Sequence, residues 1–162
     1  MPLRPDADTA DDLLRPSFAD RAPARATGTR PWRLSSQAYV AFFGGLLAVT
    51  TIAVVNARRL GLTAGPLALI LLAGFGGLAL EVAVLSTMAE AGGAQLRMVA
   101  RVIALAAWGG MYFLQRVADR RYHHFRSGED DAYAGLLVPG LLASIGLGLV
   151  ELLLVTTALD LA

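Results

Sequence analysis

The chain contains no cysteine. Disulfides and thiolate metal sites are therefore excluded. Lysine is absent too, so all 14 basic residues are arginine. Charged residues make up only 17% of the chain, against 56% hydrophobic. A net charge of +1 gives no case for nucleic-acid binding. Catalytic signatures are missing: there is no HExxH and no P-loop, and Ser86 and Ser144 sit in no GxSxG turn. Gly74, Gly76 and Gly77 cluster without forming a dinucleotide fingerprint. The histidines, His123 and His124, are adjacent and point in different directions on a helix. They make a poor metal pair with no third ligand in view. No histidine falls inside an apolar stretch, so a haem would lack its usual axial ligand. The chain reads as non-enzymatic, with no residue assigned to catalysis, a cofactor or a metal.

What is present is apolar length. The hydrophobic residues collect into four long blocks, the membrane pattern. They predict helices over about 37–57, 66–88, 98–114 and 134–158. The expected fold is all-α: an integral membrane four-helix up-down bundle, multi-pass in the cell membrane with the lipid bilayer around it. Residues 1–36 form a polar tail with Pro2, Pro5, Pro16, Pro23 and Pro31, expected to be disordered. Its first charges are followed by no apolar stretch of the kind a secretory signal needs. Trp32 and Arg33 stand where interfacial anchors are expected.

Two kinds of residue stand out inside the blocks. Small residues at four-residue spacing share one helix face and let helices approach closely. Gly44 and Gly45 with Ala41 and Ala48, Ala73 with Gly77, and Gly140, Ser144 and Gly148 form such stripes. The other kind is charge. Glu81 follows Gly77 on its stripe, and Glu151 lies beside Gly148. Arg101 sits one turn inside the third block. In an up-down bundle these three lie at similar depth, roughly 5–12 Å inside one boundary at 1.5 Å per residue. A charge at that depth needs a partner, water or a proton. The long stem of Arg101 can carry its charge to the interface, or Arg101 can pair with one glutamate. If that glutamate is Glu81, Glu151 is the spare carboxylate, left to take a proton, share the arginine or contact water.

Orientation is balanced. The links carrying Arg58, Arg59, Arg116, Arg120, Arg121 and Arg126 favour both termini outside, whereas the Arg-bearing tail argues the reverse. The links are given the greater weight.

The stretch FFGGLLAVTTIAVVNARRLGL and the later HHFRSGEDDAY resemble uncharacterised small bacterial four-span membrane proteins. In these a Gly-Gly pair precedes an Asn-x-Arg-x-Leu-Gly exit from the first span. Leu46 stands where they have proline. The resemblance implies a four-span topology and carries no activity.

Two functions follow as expectations. The first is a structural or accessory protein of a larger membrane complex, with a membrane-protein partner or a second copy. The alternative is a minor transporter or proton- or ion-conducting subunit using Glu81, Arg101 and Glu151.

Overall fold

The computed structural model describes residues 29–88, 92–125 and 133–160. These residues are helical apart from short connections: α1 (Gln37–Arg59), α2 (Ala64–Ser86), α3 (Gly93–Phe125) and α4 (Leu137–Asp160). By length and composition, each is able to cross a membrane.

α1 is the core of the molecule. Half of its most apolar stretch is buried, against 17% for each of the other three. α2, α3 and α4 all pack on it, while α3 and α4 make no close approach to each other. The outer helices turn large apolar side chains outward, among them Leu72, Val102, Leu142 and Leu153.

α1 is not straight. Gly45 has φ 77° and ψ −164°, outside the helical region. A side chain resists that positive φ, and glycine does not. The break separates two half-helices, 37–44 and 46–59, which fold back on each other. The proof lies at their far ends. The Trp32 backbone N–H donates to Asn56 Oδ1 at 2.7 Å. The Arg59 guanidinium lies 3.8 Å over the Trp32 ring, and Arg59 donates to the Arg30 carbonyl at 3.0 Å. A continuous helix would set residues 37 and 56 about 28 Å apart. The residues between 32 and 37 span at most about 18 Å even fully extended, so only a reversal at Gly45 lets the ends meet.

The neighbours follow the reversal. The first half of α1 runs alongside α4: the Tyr39 hydroxyl donates to the Leu136 carbonyl at 2.6 Å. Further in, Gly44 lies against the Ser144 backbone, and Gly148 packs on the Gly44 carbonyl. The second half runs against α2, with Thr50 beside Gly74 and Leu46 beside Gly77. It also packs on α3, where Asn56 Nδ2 donates to Gln115 Oε1 at 3.2 Å. The second half closes with a Schellman turn. The Gly61 N–H donates to Arg58 O and the Leu62 N–H to Ala57 O, with Gly61 at φ 72°. Pro66 then falls in the first turn of α2, where no intrahelical N–H is needed.

Two expectations are corrected. Residues 37–57 do not form one straight up-down member, because Gly45 reverses the chain. Residues 29–36, counted with the tail, are packed: Trp32 and Leu34 are buried, and the Ala134 N–H donates to the Pro31 carbonyl at 2.9 Å. The rest of the expected disordered tail, 1–28, lies outside the described residues. α3 starts at Gly93, ahead of the span expected at 98–114, and continues past it to Phe125, in keeping with a helical pattern that runs on through Gln115–Arg121.

Candidate carboxylate site at the break in α1

A helix broken in its middle leaves backbone groups without partners. The N–H groups of the first turn after a break have no intrahelical acceptor. At Gly45 those donors belong to Leu46 and Leu47. Glu151, on α4, supplies the acceptor. Its Oε2 takes the Leu47 N–H at 2.6 Å, and the Leu46 N–H also donates to its carboxylate. Glu151 is thus a side-chain cap delivered from another helix. The partial positive charge of that half-helix N-terminus suits an anion there. α4 delivers the carboxylate because Ser144 and Gly148 let its backbone come close to Gly44.

A second carboxyl group stands beside the first. Glu81 of α2 interacts electrostatically with Glu151. It is 3% exposed, and its Oε2 has no hydrogen-bond partner. Ser144, next to the break, also has an unpartnered buried hydroxyl. One carboxylate is therefore fully engaged by backbone donors, and a second is buried beside it without any.

Arg101 does not enter this site. It is exposed, and its guanidinium lies 4.9 Å over the ring of Phe42. The Arg101–Glu81 pair is not formed, and Glu151, the spare carboxylate in that pairing, is the engaged one. The physical reason is the break. Its free N–H groups satisfy one carboxylate in place of arginine, and Phe42 holds the guanidinium at the rim.

The small residues are placed as follows. Gly44 meets Ser144, Gly140 meets Tyr39, Gly77 meets Leu46 and Ala107, and Gly148 meets Gly44. Ala73 packs beside Ala53, Ala57, Ile70 and Met111. Gly45 leaves the helix altogether. Sequence reasoning missed Thr50 and Gly74, which touch each other, and the buried pair Asn56 and Gln115. Asn56 carried a signal, being with Gln37 one of two amides in the first apolar block. Among the described residues, no three His, Cys, Asp or Glu side chains converge on a point.

No protein-family model, no curated protein and no solved structure matches this chain.

Proposed function

We propose that this protein is a membrane-embedded carrier or conductor of protons or small monovalent cations, in which Glu81 is the loading group and Glu151 the fixed anion beside it. The observation that carries this reading is the unpartnered Oε2 of Glu81, buried beside a carboxylate that already caps the broken helix. A carboxyl group in that position is accommodated by a proton or by a cation. Discontinuous helices with half-helix ends at the bilayer centre are a recurrent way of building such sites.

In this reading α2, α3 and α4 cross the bilayer and α1 is a re-entrant hairpin. Both ends of α1 then lie on one face, with the start of α2, the end of α3 and the start of α4. That face carries Arg30, Arg33, Arg58, Arg59, Arg116, Arg120 and Arg121, and the other carries Arg97 and Arg101. The asymmetry supports an orientation with the arginine-rich face in the cytoplasm of a cell membrane. The reversal in α1 removes the conflict between tail and links, since both belong to the same face.

Reconstitution tests the reading. Vesicles containing the purified protein and an internal pH dye should collapse an imposed pH gradient faster than empty vesicles. Glu81→Gln should abolish the excess rate. Equal rates for the wild type, Glu81→Gln and empty vesicles would sink the proton reading, and the same comparison under a sodium gradient would sink the cation reading.

A second reading, an accessory subunit, draws on Phe43. It lies beside the break and is 69% exposed, on a helix that α3 and α4 do not jointly enclose. Irregular backbone at membrane depth is tolerated where protein or water covers it. A partner helix or a second copy supplies that cover. Recovery of a stoichiometric partner in mild detergent, without flux from the isolated chain, would favour this reading.

A further inference from the structure

A second site lies at the arginine-rich end of the molecule, away from the carboxylates. There the segment before α1, the last turns of α3 and Tyr133 enclose an open cleft of about 280 Å³. Arg33, Tyr112, Asp119, Arg120, His123 and Tyr133 are among its lining residues. Neither the ion site nor helix packing accounts for it.

Tyr133 organises the cleft. Its hydroxyl donates to Asp119 Oδ1 at 3.2 Å. His123 stacks on its ring at 6.3 Å and 26°, and the Arg33 guanidinium lies 5.5 Å over the same ring. Burial, then the neighbouring Asp119 charge, pushes the Tyr133 hydroxyl up to about 12, so it remains a donor to Asp119 at neutral pH. Among the described residues, Asp119 is the one carboxylate lining the cleft, and it is thereby engaged. Arg33 is exposed, and stacking engages its flat face rather than its N–H edge, the edge that grips phosphate. Arg120 is exposed on the same rim.

Depth narrows the ligand. On α3 the apolar run ends at Leu114, and the polar and basic residues begin at Gln115 and Arg116. Tyr112 lies just inside that boundary and Arg120 just outside it. The cleft therefore straddles the level where hydrocarbon gives way to headgroups, with an aromatic wall below and cations above. Tyrosine and arginine are the residues that hold a chain at this level, and basic pockets between membrane helices on the cytoplasmic side suit anionic headgroups.

We propose that this cleft binds the phosphate of an anionic phospholipid headgroup, held by Arg33 and Arg120 with Tyr112 against the upper acyl chain.

The full-length protein in a neutral detergent tests this through its thermal unfolding midpoint. The probes are phosphatidylglycerol, phosphatidylcholine and inorganic phosphate, titrated separately. Phosphatidylglycerol should raise the midpoint saturably, and phosphatidylcholine should not. The double variant Arg33→Gln/Arg120→Gln should bind phosphatidylglycerol roughly thirtyfold more weakly, as expected from two surface arginines. Arg33→Lys/Arg120→Lys keeps the charge and should recover most of the response. Arg97→Gln, on the opposite face, should respond like the wild type. If the glutamine double variant fails to fold, Arg120→Gln alone should still show a weakened response. Undiminished, selective protection of the glutamine variants by phosphatidylglycerol would overturn the assignment. Equal protection by inorganic phosphate would overturn the lipid headgroup as its ligand.

Discussion

The backbone N–H of Trp32 donates to the side-chain oxygen of Asn56 at 2.7 Å, although 24 residues and most of a helix separate them. This bond joins the entry of α1 to its exit. Asn56 is fully buried and also donates to Gln115, so a chain of polar groups clamps the hairpin to α3. A buried amide left without partners costs about 1–3 kcal/mol, which explains why an asparagine in an apolar helix takes part in three elements at once.

The hairpin makes a direct topological prediction. The chain has no cysteine, so single cysteines can be introduced without a background. Ser35→Cys and Thr63→Cys, both exposed, should be labelled from the same side of a sealed membrane by an impermeant thiol reagent. Gln95→Cys should be labelled from the other. A straight first span would instead put Ser35 with Gln95.

Gly45→Ala should lower the unfolding midpoint. Its φ of 77° costs a residue with a Cβ about 1–3 kcal/mol. The added methyl group would also meet the Glu151 carboxylate. Gly76→Ala is the control, because it is helical and open around its Cα. Removing a helical glycine should be neutral or stabilising by up to about 1 kcal/mol. Equal effects at the two positions in a thermal melt would contradict the break.

Arg101→Ala should change stability little. An exposed guanidinium on a ring contributes about 0.5–1 kcal/mol, and Arg101 lies over the ring of Phe42. A double-mutant cycle of Arg101→Ala with Glu81→Gln should be additive to within about 0.5 kcal/mol. Coupling well above that would restore the Arg101–Glu81 ion pair.

Alkaline titration followed by tyrosinate absorbance should show a late transition near pH 12 that Tyr133→Phe removes. The sign of the linked stability follows from the upward shift. The native state holds the Tyr133 proton more tightly than the unfolded chain does. The stabilisation is fully present below the unfolded value near 10 and is lost as pH rises from there through about 12. The midpoint difference between the wild type and Tyr133→Phe should therefore shrink over that window.

The sequence by itself determined the helical class and the approximate limits of α2 and α4. Long apolar runs have no other way to satisfy their backbone groups away from water. It also marked Glu81, Glu151 and Arg101 as the costly residues and the small side chains as contact points, because charge and size are local properties. Three things were decided only by the tertiary structure. Gly44 and Gly45 read equally well as a packing stripe and as a break, since glycine permits both; the choice depends on Glu151, 104 residues beyond Leu47, arriving to cap the freed N–H groups. The partner of each carboxylate depended on that same break, which offers backbone donors that no side-chain pattern reveals. The side of the molecule on which α1 begins depended on Trp32 meeting Asn56, a contact between residues whose sequence neighbourhoods give no hint of each other. Helix propensity and hydropathy act over a few turns, whereas a reversal is stabilised by groups that only the folded chain brings together.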